Sequence, residues 1–193
     1  MARIVMIATA ALFAILSLSA QDAAGQPEEI LLQEGTNGSA VVLLTIARLQ
    51  QTGIFADDNE LLRRIAYVET RDGTAAQTFR QGYDGGIWAV DQNVFLDTQN
   101  VDTRPRLRVK LAQLQDEFSI NWEKTNWRDL RRPLYSAIAA RLVLYNFPRA
   151  IPKANDISAQ AELWADHYRQ GGSPSEFEVI ANELEGTFLA VDN

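Results

Sequence analysis

Apolar residues recur at helical spacing along most of the chain. Six segments carry apolar residues every three or four positions, which is the period of an α-helix with one face in a core. These predicted helices cover 39–53, 57–73, 104–117, 129–146, 157–169 and 174–185. The 129–146 segment is apolar on nearly all sides, which predicts a central helix wrapped by the others. The pattern therefore predicts a mainly α protein.

The helical pattern is interrupted between residues 74 and 97. Glycines cluster there, and apolar residues alternate after them, at Gly82, Gly85, Gly86, Ile87, Val90 and Phe95. Glycine favours turns, and alternating apolar residues favour short strands. We therefore expect a mainly α (α+β) fold with a small β element in this region.

The first twenty residues differ from the rest of the chain. One basic residue, Arg3, precedes an apolar run that ends near Leu18, and small residues follow it. This order is typical of a secretory signal peptide, and the run is shorter than the roughly 20 residues that a membrane span needs. We expect a signal peptide at 1–20, a polar lead-in at 21–38 and one domain at 39–193. The mature protein would be secreted and free of the membrane, whereas an uncleaved anchor is the alternative.

Charge and composition remove several classes of function. The chain has 25 acidic and 18 basic residues, a formal net charge of −7, and no cysteine. Binding of nucleic acid normally requires a basic field, so we expect no nucleic-acid partner. Disulfides, thiolate metal sites and cysteine nucleophiles are excluded, and the single histidine, His167, removes multi-histidine metal sites. We expect no metal and no organic cofactor.

Glu69 falls on the apolar face of its predicted helix. Counting about 100° per residue from Leu61, Glu69 falls at about 80°, between Ile65 at about 40° and Leu62 at about 100°. Arg63 falls at about 200°, so the polar face lies elsewhere. A carboxyl among apolar groups has a raised pKa and can hold a proton near neutral pH, as a general acid must. This reading expects no basic side chain in contact with Glu69.

A buried ion pair is the alternative explanation for Glu69. Arg141 falls on an apolar arc of the 129–146 segment, and its guanidinium could neutralise the carboxylate. Periodicity alone favours such a pair over catalysis, because glutamates near helix ends often find local partners.

The residues that follow Glu69 resemble the lysozyme-like superfamily. Glu-Thr ends the helix, a polar loop follows, and residues 82–91 read GYDGGIWAVD. The nearest comparison is with goose-type lysozymes and lytic transglycosylases, in which a catalytic glutamate closes a helix and a Gly-Leu-Met-Gln-Val-Asp type segment forms the floor of the sugar cleft. The resemblance covers about 61–95. It implies a lysozyme-like helical domain with Glu69 as general acid, and it makes Asp84 and Asp91 the aspartates that position the attacking water.

Two positions depart from the family segment. Ala89 stands in place of the glutamine and Trp88 in place of the methionine, so the cleft floor would lose an amide and gain an aromatic surface. Sugar rings pack their C–H faces on aromatic rings, so we expect Tyr83, Trp88, Trp122 and Trp127 to bind substrate. The alternative for Trp122 and Trp127 is that both cap the core, and the sequence favours it.

Together these features predict a secreted glycoside hydrolase of a β-linked polysaccharide, such as peptidoglycan, chitin or another structural glycan. Glu69 would protonate the glycosidic oxygen while water oriented by Asp84 or Asp91 attacks from the opposite face, which inverts the anomeric carbon. A non-catalytic carbohydrate-binding or extracellular matrix protein with the same fold is the first alternative. A lysozyme inhibitor or a purely structural secreted helical domain is the second, and it requires the Glu69–Arg141 pair.

Overall fold

The computed structural model describes residues 28–56 and 59–191, with side chains up to residue 186. The predicted signal peptide at 1–20 and the first part of the polar lead-in lie outside the described residues. So do Asp57 and Asp58, at the predicted start of the second helix.

Helices follow one another through the described chain. They are α1 (Ser39–Gln51), α2 (Asn59–Thr70), α3 (Gln92–Gln99), α4 (Leu107–Phe118), α5 (Pro133–Tyr145), α6 (Ile157–Leu163) and α7 (Pro174–Val191). Residues 28–32 are also helical. Two 3₁₀ turns, Trp122–Lys124 and Trp127–Arg131, lead into α5, and a π-helical segment, Trp164–Tyr168, continues α6. The prediction of a mainly α fold is confirmed.

Helix α5 is the centre of the structure. All of its residues except Tyr135 and Tyr145 are buried, as its almost continuous apolar sequence predicts. Pro133 is its first residue, where a missing backbone N–H breaks no helical hydrogen bond. Helices α1, α2 and α3 and the 3₁₀ turn before it pack against α5. This arrangement provides the core on which the loop after α2 rests.

Helix α2 packs between α1 and α7, and it buries polar as well as apolar residues. Arg63 forms a buried ion pair with Asp72, and Arg64 donates hydrogen bonds to Gln160 and Glu185. Arg63, which periodicity placed away from the apolar face, and its neighbour Arg64 are therefore enclosed by later parts of the chain. Glu69 follows in the last turn of this same helix.

The expected β element is wrong, because residues 28–56 and 59–191 contain no strand. Local hydrogen bonds form turns instead: the N–H of Ala89 donates to the carbonyl of Gly86 (3.1 Å), and that of Val90 to the carbonyl of Gly85 (3.0 Å). Gly86 and Ala89 have φ values of 66° and 49°, which belong to left-handed turns and not to strands. Phe95 lies on helix α3, which periodicity missed.

Contacts with α5 fix the loop that follows α2. A Cβ atom on Gly86 would lie 2.0 Å from the carbonyl oxygen of Leu130, so only glycine fits there. The Ser136 hydroxyl donates to the Gly85 carbonyl and accepts the backbone N–H of Trp88, both at 3.2 Å. These contacts hold residues 83–91 beside the end of α2, where Glu69 lies.

Candidate active site

Glu69 is enclosed at the end of α2, with only 5% of its side chain exposed. Its Oε1 accepts a hydrogen bond from Nε1 of Trp164 (2.8 Å). Its Oε2 lies 3.3 Å from Nη1 of Arg169, whose side chain is 50% exposed. One oxygen of the carboxyl is therefore held inside the protein, and the other faces a guanidinium that solvent reaches.

The surroundings of Glu69 favour its protonated form. Burial raises the pKa of Glu69 from 4.5 to about 6, while Arg169 and the hydrogen bond from Trp164 pull this pKa down. The negative charges of Asp91 and Glu176 push the pKa up further. A carboxyl with a pKa near 6 holds a proton in a useful fraction of molecules at mildly acidic pH. The expectation that no basic side chain contacts it is wrong, because Arg169 does.

Arg141 does not provide the alternative ion pair. Its Nη2 donates to the backbone carbonyl of Ala56 (2.6 Å), and its guanidinium lies 5.1 Å from the centre of the Phe55 ring. The partners of Glu69 are Trp164 and Arg169 instead. The ion pair of Glu69 is therefore formed with the half-exposed Arg169 and not with the buried Arg141.

Asp91 and Tyr83 belong to the same site as Glu69. The Tyr83 hydroxyl donates to Oδ1 of Asp91 (3.2 Å), and the charge of Asp91 acts on Glu69. Burial, and then the charge of Asp91, raise the pKa of Tyr83, so its hydroxyl stays protonated and remains a donor. Tyr168 lies close as well: burial and then Glu69 raise its pKa, and its hydroxyl donates to the carbonyl of Trp88 (2.7 Å).

An aromatic surface adjoins the carboxyl groups. The rings of Tyr83 and Trp127 meet edge to face, with centroids 5.5 Å apart, and both side chains are partly exposed. Nε1 of Trp127 donates to the Val90 carbonyl (2.9 Å), and the Arg80 guanidinium lies 3.9 Å from the centroid of the Tyr83 ring. These contacts fix the two rings, so two of the four predicted sugar-binding aromatics lie at the site.

Trp88 and Trp122 lie in the core. They are 0% and 1% exposed, so neither ring offers a face to a sugar, contrary to the role predicted for them. Nε1 of Trp88 donates to the Leu62 carbonyl, and Nε1 of Trp122 donates to the Thr98 hydroxyl, both at 2.9 Å. Trp122 follows the alternative that it packs on the core. The backbone carbonyl of Trp88 instead accepts the hydrogen bond that holds Tyr168 at the site.

Asp84 is directed to a different partner. Its Oδ1 lies 3.2 Å from Nη1 of Arg131, and Nε of the same guanidinium lies 3.9 Å from Oε2 of Glu34. The negative charge of Asp91, by contrast, raises the pKa of Glu69. The structure therefore brings Asp91 into the electrostatic surroundings of Glu69 and pairs Asp84 with Arg131.

Trp164 and Arg169 are the site residues that sequence reasoning missed. They stand five positions apart, which on an α-helix would place them about 140° from each other. The N–H of Arg169 donates to the Trp164 carbonyl (2.8 Å), an i→i+5 bond of the π-helical segment. This wider turn brings both side chains to one carboxyl, and π-helical turns are frequent at functional sites. No residue pattern predicts it.

His167 lies outside this site. Its ring lies 5.3 Å from that of Phe147, and its Nε2 is buried without a hydrogen-bond partner among the described side chains. In the described part of the chain, no group of three or more histidine, cysteine or acidic residues could hold a metal ion. None of the helices in that part is long and apolar enough to cross a membrane.

Comparison with known proteins gives no match, either to family models, to curated proteins or to solved structures. The resemblance to lysozyme-like enzymes therefore stays a prediction from residues 61–95.

Proposed function

We propose that this protein is a secreted glycoside hydrolase that cleaves a β-linked polysaccharide by general acid catalysis. One observation carries the proposal, the state of the Glu69 carboxyl. Trp164 donates a hydrogen bond to one of its oxygens, and burial raises its pKa to about 6. A general acid needs a proton near working pH and a fixed direction in which to deliver it. The position of this glutamate at a helix end, before the GYDGGIWAVD segment, adds the lysozyme-like resemblance.

In this proposal, Oε2 of Glu69 carries the acid proton. Oε1 accepts the indole N–H of Trp164, so Oε2 is the oxygen that can carry the proton outward once Arg169 moves aside. Transfer of this proton to the glycosidic oxygen breaks the bond to the anomeric carbon and releases a sugar hydroxyl. As that bond breaks, water bonds to the anomeric carbon from the opposite face and gives its proton to Asp91, which the Tyr83 hydroxyl holds in place. Such a step inverts the anomeric configuration.

The aromatic surface supports a sugar polymer as substrate. The partly exposed rings of Tyr83 and Trp127 lie beside the carboxyl groups and can pack against the C–H faces of sugar rings. Peptidoglycan, chitin and other structural glycans all offer such faces. The predicted signal peptide agrees with a polymer that lies outside the cell.

Purified mature protein should release reducing ends from one of these polymers, and Glu69→Gln should lower the rate by about 10²–10⁴-fold, the usual contribution of a general acid. Asp91→Asn should also slow turnover, whereas Asp84→Asn should leave it nearly unchanged. Proton NMR of fresh product should show inversion. Full activity of Glu69→Gln would refute the catalytic role, and retained configuration would refute the role of Asp91.

A non-catalytic carbohydrate-binding or matrix protein is the second candidate. The specific observation in its favour is that Glu69 is only 5% exposed and is covered by Arg169. In that case sugars bind at Tyr83 and Trp127 without any turnover. Binding measured by calorimetry, with no reducing ends released from any polymer, would favour this function over hydrolysis.

A further inference from the structure

The ion pair between Glu69 and Arg169 is unequal. The carboxyl side chain is 5% exposed and the guanidinium side chain is 50% exposed, although the two approach to 3.3 Å. A ligand therefore reaches Arg169 before it reaches Glu69. Ion pairs that solvent reaches usually contribute only about 0–1 kcal/mol, so an anion on a ligand can compete for the guanidinium.

General acid catalysis cannot proceed while this pair is intact. The acid must carry its proton on Oε2, and a neutral carboxyl attracts the neighbouring guanidinium much less than a carboxylate does. When Glu69 is protonated, Arg169 keeps its charge and loses its counter-ion at the edge of the site. A carboxylate on a ligand can take the place of this counter-ion, because the planar guanidinium donates two parallel hydrogen bonds to a carboxylate.

We propose that Arg169 binds the carboxylate of an acidic sugar next to the scissile bond, and that this exchange frees Oε2 of Glu69 to take up the proton it donates. The inference rests on the proposed function and names its substrate class, a glycan that carries carboxylate groups. Arg169 is then a specificity-determining residue that senses the substrate and prepares the acid.

Other charges at the site limit how anionic the substrate can be. The groups that interact electrostatically with Glu69 include Arg169, Asp91, Glu176, Tyr83 and Tyr168. Two of these are carboxylates, and the chain as a whole has a net charge of −7, so a densely charged polyanion would be repelled. A second guanidinium, Arg80, lies over the Tyr83 ring, and no carboxylate among the described side chains pairs with it. The site therefore fits isolated carboxylates on a polymer of moderate charge.

A titration that needs no turnover tests the exchange. The Glu69 carboxyl is followed by carbon NMR in labelled protein, with glucuronate or with glucose, which differ only at C6. Glucuronate should raise the apparent pKa of Glu69 and glucose should not. Arg169→Gln should raise this pKa without ligand, abolish the response, and weaken glucuronate binding roughly tenfold or more, the worth of a hydrogen bond to a charged group.

Arg104→Gln is a matched control. Arg104 is 46% exposed and lies 3.5 Å from Asp97, so its loss removes a similar surface ion pair and the same charge. This variant should behave like the wild type in both titrations. Arg169→Lys keeps the charge without the planar fork, so its glucuronate affinity should fall between those of the wild type and Arg169→Gln. An unchanged Glu69 titration in saturating glucuronate would overturn the proposal.

Turnover separates this inference from the proposed function. One acidic glycan is compared with the same glycan after its carboxyl groups are reduced to alcohols. Arg169→Gln should lower kcat/KM about tenfold on the acidic form and much less on the reduced form. An equal loss on both forms overturns the specificity role while hydrolysis by Glu69 stands. If Glu69→Gln retains full turnover, the proposed function fails, whereas the glucuronate titration still reports on Arg169.

Discussion

Replacing Glu69 with glutamine should stabilise the protein at pH 8 and leave its stability at pH 4 nearly unchanged. Glutamine has the shape of protonated glutamic acid, and its carbonyl can still accept the Trp164 N–H. The substitution therefore removes only the penalty for ionising an enclosed carboxyl. This perturbation tests the physical basis of the proposed acid without any substrate.

The magnitude follows from the pKa of Glu69, which burial raises from 4.5 to about 6. Below pH 4.5 the carboxyl is protonated in both folded and unfolded chains, so the protonated form contributes its full stability. As the pH rises through 6, the folded state must ionise it against burial, and that stability is lost. At about 1.36 kcal/mol per pKa unit, the loss is about 2 kcal/mol.

Urea unfolding of wild type and Glu69→Gln at pH 4 and pH 8 measures this effect. The variant should gain about 2 kcal/mol over the wild type at pH 8, or roughly 4–8 °C in Tm, and almost nothing at pH 4. Glu123→Gln changes an exposed glutamate and should stay within about 0.5 kcal/mol of wild type at both pH values. A Glu69→Gln variant that is less stable than wild type at pH 8 would show that the pair with Arg169 is structural.

Three further substitutions test parts of the site. Trp164→Phe removes the hydrogen bond that lowers the pKa of Glu69, so carbon NMR should show that pKa above 6. Gly86→Ala places a Cβ atom 2.0 Å from the carbonyl of Leu130, so urea unfolding should show a loss of about 3 kcal/mol or more. Asp84→Asn breaks an ion pair whose side chains are 26% and 23% exposed, and should change the free energy of unfolding by less than about 1 kcal/mol and turnover hardly at all.

Periodicity predicted most helices because their apolar faces meet the core directly. Helix α5 shows this most clearly, since its sequence is apolar on nearly every side and the helix is buried on nearly every side. Helix α3 was missed because its eight residues bury only Phe95 and Thr98. Two buried positions are too few to establish a helical period.

The expected strands failed for a related reason. Alternation of Ile87 and Val90 after three glycines indicates only that some apolar residues face inward, which a turn can also achieve. Left-handed φ values at Gly86 and Ala89 reverse the chain locally. The side chains of Ile87 and Val90 are thereby buried without any strand pairing. Glycine at position 86 signalled the turn, whereas alanine at position 89 gave no sign of a left-handed conformation.

The site could be predicted in part. Glu69 and Asp91 both fall within the 61–95 stretch, where helical periodicity placed Glu69 on an apolar face. Trp164 and Arg169 lie about a hundred residues further along the chain and reach Glu69 through a π-helical turn. Contacts between residues so far apart in the chain depend on how the helices pack. The sequence alone therefore indicated an enclosed carboxyl but not the side chains that contact it.

Two ion pairs at helix α2, one buried and one with a half-exposed cation, can be compared through the same chemical change, a carboxylate to an amide. Asp72 and Arg63 have side chains only 5% and 6% exposed, and Oδ2 of Asp72 accepts Nη2 of Arg63 at 2.8 Å. Asp72→Asn should destabilise the protein by about 3 kcal/mol at pH 8, because it removes the charge that balances an enclosed guanidinium. Glu69→Gln should stabilise it at the same pH, because the cation beside Glu69 is half exposed and needs no internal partner. Urea unfolding of both variants therefore decides whether exposure of the cation separates a structural pair from a functional one, and equal signs would refute that distinction.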